Sequence, residues 1–401
     1  MNKGFAIAFT AVILAACSKV NVGEPTLPES FAKQELSFTV AKALSPTKAD
    51  GDTFHGSEFT DPNGFGAYAW FTGDPVSEYW MKAVNITKQL SEGKYAWKPV
   101  TPYYWPKEHP LDFLCFAPYK NGACWFDVLD DAGNEASEGK ANKITSHLKV
   151  TEFTEDLLFS DKAIKCTNSL TNETTDGINA FSGVPIIFRH ALSKSGFRIV
   201  SDAYFNQDST VYAHVTFRSA TLRNVRNEGD LALYLKQTGS TTSTRGWQNK
   251  DTDGVWNTTD DKENINDEVD GTITVPTSPV TFIGNRMYIP QSLTDQILDL
   301  DITIEYYKTD DFERDPKTGE IIIDPDTCMP VVAEGKDFPA PTQKEDITRN
   351  QKLGDIPGAP IWRMGSYTDY LITVTPFTNE VTFDPTIANW DNTSAGFVIS
   401  K

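Results

Sequence analysis

After residue 17 this chain has no apolar run approaching the roughly 20 residues that a membrane-crossing helix needs. Cysteine is sparse, at 5 in 401 residues. Cys115, Cys124, Cys166 and Cys328 lack C-x-x-C spacing, which argues against a zinc or thiol-redox centre. Histidine is equally scarce, at 5. No two histidines stand three or four residues apart, and without H-E-x-x-H there is no zinc-protease signature. Gly-x-Ser-x-Gly is absent, which removes the usual α/β-hydrolase elbow. Positive charge is short as well: 36 Lys and Arg stand against 55 Asp and Glu, for a net charge of −19. That balance argues against nucleic acid as a partner and against flat electrostatic binding to anionic lipid. Helical periodicity is nearly missing; only short stretches such as Ser292 to Gln296 look helical.

What is present begins at the N-terminus. Met1-Asn2-Lys3 is a short charged start, Phe5 to Ile13 is an apolar run too short for a permanent span, and Leu14-Ala15-Ala16-Cys17 is a small-residue cleavage site ending on cysteine. The segment is similar to a bacterial lipoprotein signal. It marks residues 1–16 as a leader and Cys17 as the acylated residue, anchoring an exported chain to outer-membrane lipid at the cell surface. Residues 17–34, with Pro25 and Pro28, lack periodicity and suit a tether.

From Glu35 onward the pattern is β. Leu36-Ser37-Phe38-Thr39-Val40 alternates strictly, as a strand with one buried face does. Similar runs recur at Gly66 to Phe71, Leu111 to Ala117, Gly196 to Val200, Val211 to Phe217, Ile302 to Tyr307 and Tyr370 to Val374, with Pro, Gly and Asx clusters between them. Many short strands and few helical windows indicate an all-β chain of sandwiches. Its length fits two domains, divided near Ser182-Gly183 into residues 35–183 and 184–401. No repeat of solenoid period is visible.

Other signals have plain readings. Gly64-Phe65-Gly66-Ala67-Tyr68-Ala69 fits G-x-G-x-x-A, but strand-like Trp70-Phe71 follows where a phosphate site needs a helix. The acidic stretch from Asn249 to Asp260 approximates a calcium loop with Asn in first place and Asp in twelfth; it is read as a solvated turn, with no metal assigned. Cys115 and Cys124 are spaced for a cross-hairpin disulfide, although a chain this long does not need staples and free, mostly buried thiols are expected. Of 9 tryptophans, five (Trp70, Trp80, Trp97, Trp105, Trp125) fall in the first domain. They suit either sandwich core or aromatic platforms for sugars.

Several ordered motifs resemble the fimbrillin family of Bacteroidales. They are Tyr104-Trp105-Pro106, Leu111 to Pro118, Asp156-Leu157-Leu158, Phe188-Arg189-His190-Ala191-Leu192-Ser193, Tyr288-Ile289-Pro290-Gln291, Gly365-Ser366-Tyr367, Val381-Thr382-Phe383 and Trp390. The resemblance implies two tandem transthyretin-like β-sandwiches, no catalysis and no cofactor. It also implies a lipoprotein precursor whose N-terminal strand is cut away by a trypsin-like protease and replaced by a segment of another fimbrial subunit. On this chain the exchanged face is Leu36, Phe38 and Val40, and the cut falls at Lys48, in a loop carrying Pro46 and Gly51. No arginine precedes Arg189, so an arginine-specific protease has no site near the start. A glycan-binding surface lipoprotein is the alternative reading.

Overall fold

The computed structural model describes residues 34–40, 64–71, 79–91, 94–106, 109–119, 127–129, 143–149, 156–160, 163–167, 178–179, 183–186, 188–234, 254–258, 262–266 and 272–389. The fold is all-β. Among the described residues there is no α-helix, and a 3-10 turn at Leu353–Asp355 is the one helical element.

The first sheet runs from Ile178–Asn179 through Ala163–Thr167, Leu111–Ala117, Phe65–Phe71, Tyr79–Ser91, Lys94–Pro99 and Phe38–Val40 to Val184–Ile186. Its central strands are apolar on both faces, which is why Leu111 to Ala117 reads as an almost unbroken hydrophobic run rather than an alternation. One face, carrying Phe65, Ala67, Phe113 and Cys115, closes a core with Leu36, Phe38, Val184 and Phe188. The other, carrying Tyr68, Trp70, Leu114 and Phe116, is continuous with the core of the C-terminal half through Ala191, Leu192 and Phe197.

That second core lies between two further sheets. Val280–Tyr288, Ser193–Ser201, Ser366–Thr375 and Glu380–Asn389 form one, with Ser193–Ser201 parallel to Ser366–Thr375. Lys262–Asn266, Val211–Arg226, Ile297–Lys308 and Gln343–Lys352 form the other, with Ile273–Thr274 paired beside them. Alternation places Val215 and Phe217 with Leu298, Leu300, Ile302 and Ile304 in the gap, where Phe217 meets Phe282 at 4.9 Å between ring centres and Phe282 lies 6.2 Å from Phe197. A fourth sheet, Gly254–Thr258, Glu228–Tyr234, Lys143–Lys149 and Asp127–Leu129, takes strands from both sides of residue 183.

The helix expected at Ser292 to Gln296 is absent. Gln291–Ser292 is a short strand paired with Ile361–Trp362, and the chain turns before the long strand begins at Ile297. Buried side-chain amides hold the turn: Gln296 Nε2 donates to the Asn224 carbonyl (3.0 Å) and to Gln291 Oε1 (3.1 Å). Leu293 is also buried. Tertiary bonding of this kind overrides a short helical pattern.

Between Ile297–Lys308 and Gln343–Lys352 the chain builds a knob whose backbone repeats every nine residues. The amides of Asp315, Asp324 and Ala333 donate to the carbonyls of Glu320 (2.8 Å), Met329 (2.8 Å) and Asp311 (2.9 Å). The bridges Arg314 to Ile321, Ile323 to Pro330 and Phe312 to Val332 follow the same spacing. Glu313 donates to Val331 (2.8 Å), Val331 to Ile322 (2.8 Å) and Ile322 back to Glu313 (3.0 Å), so the ring closes on itself with pseudo-threefold symmetry. The first two turns, Asp315-Pro316-Lys317-Thr318-Gly319 and Asp324-Pro325-Asp326-Thr327-Cys328, are the same Asx turn. In the first, Asp315 Oδ1 accepts from the amides of Lys317 (2.7 Å) and Thr318 (3.1 Å). In the second, Asp324 Oδ1 accepts from Asp326 (2.8 Å) and Thr327 (3.2 Å). Underneath, Tyr212, Tyr307 and Phe312 form a separate core with Ile323, Met329 and Val332.

Candidate functional site

The N-terminal strand Phe38–Val40 occupies an interior place in the first sheet. It runs parallel to Val184–Ile186, with Phe38 facing Val184 and Val40 facing Ile186, and antiparallel to Lys94–Pro99, with Phe38 facing Trp97. The preceding residues continue the pairing. Leu36 N–H donates to the Tyr103 carbonyl (2.7 Å), Trp105 N–H to the Gln34 carbonyl (3.1 Å) and Val184 N–H to the Ser37 carbonyl (2.6 Å). Lys98 Nζ reaches Glu35 Oε2 at 3.0 Å.

Alternation decides which side chains enter the core. Leu36 and Phe38 are fully buried, and Val40 is half-buried against the same cluster. The Phe38 ring stands edge-on to Phe65 (5.7 Å) and Phe113 (5.6 Å), the geometry aromatic rings prefer. A Cβ on Gly183 would lie 2.5 Å from Thr39 Oγ1, so the chain entering Val184–Ile186 passes against the first strand. Taking the strand out would leave two sheet edges and uncover Phe65 and Phe113; burying each large apolar side chain is worth roughly 1.5–3 kcal/mol.

Cys17 and Lys48 lie outside the described residues, as do Cys124 and most of the Asn249 to Asp260 stretch, of which Gly254–Thr258 is a strand. Cys115 and Cys166 are buried free thiols and Cys328 is a half-buried one. Burial pushes the Cys115 thiol well up, with Cys166 nearby adding to the rise and a hydrogen bond with Ser160 opposing it. Burial likewise raises Cys166. Trp70, Trp105 and Trp362 are core residues; Trp80 is 36% exposed, and its nearest ring partner, Phe71, is tilted by 58°.

A family model described as fimbrillin-like matches residues 47–390. The chain belongs to the fimbrillin-like family. Several solved structures are similar to it over most of their length. A fimbrial protein from Bacteroides vulgatus is 12% identical with a TM-score of 0.46, covering 89% of this chain and 99% of that one. A putative cell adhesion protein from Bacteroides uniformis is 12% identical with a TM-score of 0.43, covering 91% and 100%. The fimbrial anchor protein Mfa2 from Porphyromonas gingivalis is 8% identical with a TM-score of 0.31, covering 89% and 98%. No curated protein matches the sequence.

Sequence reasoning found the face of the first strand but not its neighbours. Val184-Pro185-Ile186 is too short and too interrupted to announce a parallel partner, and Pro185 hides it further, since proline is unusual inside a sheet. The knob was also missed. Its period is shorter than any solenoid repeat, and only the two Asp-Pro-x-Thr turns, nine residues apart, signal it.

Proposed function

We propose that this chain is a structural or accessory subunit of a surface fimbria, assembled by strand exchange after proteolytic removal of the segment that holds Leu36, Phe38 and Val40, and contributing to adhesion. One observation carries the reading: the most N-terminal strand described sits inside a sheet, between Lys94–Pro99 and Val184–Ile186, rather than at its rim. Removal of that strand after a proteolytic cut leaves a groove with hydrogen-bonding edges on both sides, which is what strand addition from another chain requires. Membership of the fimbrillin-like family supports the same assignment.

In this proposal Cys17 carries the lipid that holds the precursor on the outer membrane, Lys48 is where a trypsin-like protease cuts, other fimbrial subunits supply the replacing strand, and the protein is not an enzyme. The chain divides into sandwich domains at about residues 183 and 184, with Val184–Ile186 and Phe188–His190 lent to the first sheet. Limited trypsin digestion followed by N-terminal sequencing tests the scheme: a first fragment beginning at Ala49 that then binds a synthetic peptide spanning residues 34–40 supports it. A fragment that keeps its original melting temperature and binds no strand peptide overturns it.

A further inference from the structure

The charge of this chain is unevenly spread. Against a net −19 overall, the hairpin of Tyr79–Ser91 and Lys94–Pro99 carries Lys82, Lys88, Lys94 and Lys98 and, in its turn, Glu92 alone. Other basic side chains in the fold are spent on carboxylates: Arg198 on Asp369, Arg223 on Asp299, Arg226 and Lys262 on Asp295. Among the described residues Lys82 and Lys88 have no carboxylate partner. Both are exposed, and each lies over a tyrosine ring instead, Lys82 at 5.7 Å from Tyr79 and Lys88 at 5.2 Å from Tyr95.

The same hairpin projects beyond the core. Its inward face runs from Ile86 opposite Pro99, both buried, to Lys88 opposite Trp97, and ends on Leu90 opposite Tyr95. That last pair is 63% and 67% exposed. An apolar pair at the end of a lysine-bearing hairpin is an unusual expenditure of exposed surface on an acidic protein.

The knob is its electrostatic opposite. Residues 309–341 hold nine carboxylates and three basic side chains. Some of the acids are committed: Asp311 pairs with Lys336 at 2.8 Å, and Asp315 and Asp324 cap their turns. Glu313, Glu320 and Asp326 are exposed and have no cationic partner among the described residues. The knob also exposes an aromatic ring, Phe338, which is 39% exposed and packs on Phe312 and Tyr307.

We propose that the hairpin of one subunit docks on the knob of the next copy of this chain through the face that carries Lys88, Leu90 and Tyr95, with Lys88 meeting Glu320 and Asp326, and Leu90 and Tyr95 meeting Phe338. The two surfaces belong to different elements of one molecule, so the contact is head-to-tail and repeats without closing unless its rotation happens to form a ring, the geometry of a filament. Each surface is a single small element, so the contact is weak alone and its role is to orient neighbouring subunits. It rests on the fimbrial reading for its purpose but needs no strand exchange to form.

Charge reversal tests it on the purified, uncut protein. One variant carries Lys88→Glu; the other carries Glu320→Lys and Asp326→Lys. Sedimentation velocity at low ionic strength should show weak self-association of the unmodified protein that disappears near 1 M salt, where the Debye length is about 3 Å. Each variant alone should associate at least tenfold more weakly. An equimolar mixture should regain association, because each reversed surface then faces an opposite charge; recovery also shows that both variants are folded. Undiminished association of either variant alone, failure of the mixture to recover, or no association of the unmodified protein overturns the contact. If the charge-swap pattern holds while the cut protein binds no strand peptide, the fimbrial reading falls and this contact stands. The reverse result removes the contact and leaves the fimbrial reading in place.

Discussion

Cys328 occupies the backbone position that Gly319 holds nine residues earlier: each follows Asp-Pro-x-Thr, each donates its N–H to the carbonyl of the turn's aspartate at 2.8 Å, and each has positive φ, 55° and 75°. A side chain in that conformation costs roughly 1–2 kcal/mol relative to glycine, partly offset by glycine's freedom in the unfolded chain. Cys328→Gly should therefore raise stability by up to about 1 kcal/mol. Gly319→Ala should lower it by about 1 kcal/mol through backbone strain, since a Cβ there meets no atom within 4 Å. Urea unfolding of both variants checks the pair; equal and opposite signs are the expected result, and a destabilised Cys328→Gly contradicts the shared role.

The first strand should show graded sensitivity. Phe38→Ala is expected to cost about 3–5 kcal/mol and Leu36→Ala about 2–5 kcal/mol, because both are fully buried. Val40→Ala, half-buried, should cost less than either. The same denaturant series measures all three, and the order of the losses is the decisive readout.

Gly66 allows the Phe116 ring to lie against the backbone: a Cβ there would fall 2.0 Å from the ring. Phe116 is fully buried and touches both Tyr68 and Tyr119, so it has little room to yield. Gly66→Ala should cost roughly 1–3 kcal/mol or more. Adding Phe116→Leu should recover part of that loss, a coupling that a double-mutant cycle reads directly.

Acid should weaken the fold through His214. Burial holds its imidazole below the ordinary value near 6.5, with Glu305 pulling the other way, and Nε2 lies 2.9 Å from Thr274 Oγ1. A depressed histidine pKa means that the unfolded chain binds the proton first. Its contribution is complete above about pH 6.5 and is lost as pH falls through the folded value. Melting temperatures recorded from about pH 7 to pH 5 should fall less steeply in His214→Gln than in the unmodified protein. An identical slope would remove His214 as a cause.

Thiol labelling should follow burial. In the native protein at neutral pH, Cys115 and Cys166 should resist maleimide while Cys328 reacts, because burial keeps the first two in the protonated, inaccessible form. Peptide mass spectrometry after brief labelling assigns the modified residue. Early modification of Cys115 would mean that the first sheet opens readily.

Legibility in the sequence followed the range of the interaction. Alternation is a local property, so Leu36, Phe38 and Val40 were placed on one face by counting alone. The strand pattern of Trp70-Phe71 is local and legible, and Gly66 lies within the strand Phe65–Phe71, though the reason for a glycine there, the Phe116 ring, lies fifty residues away and leaves no local mark. The turn at Ser292 to Gln296 was misread as helical because the amide bonds of Gln296 to Asn224 and Gln291 reach across the fold. The slot itself depends on a strand near residue 185 pairing with one near residue 39, a contact of long range with no periodic signature.

The knob begins after Lys308 and ends before Gln343, and Gln343 faces Tyr306 across the hairpin that carries it. Its entrance and exit are therefore neighbours, and no strand of the sheet is threaded through it. A closed excursion of this kind can be lengthened at its exposed turns, such as Asp315 to Gly319, while Ile297–Lys308 and Gln343–Lys352 keep their register, provided that the residues covering Tyr212 and Tyr307 stay in place. The exposed turns are thus where the surface of the subunit can change without disturbing the sandwich beneath it, and a foreign segment inserted in one of them would be displayed without refolding the sheet.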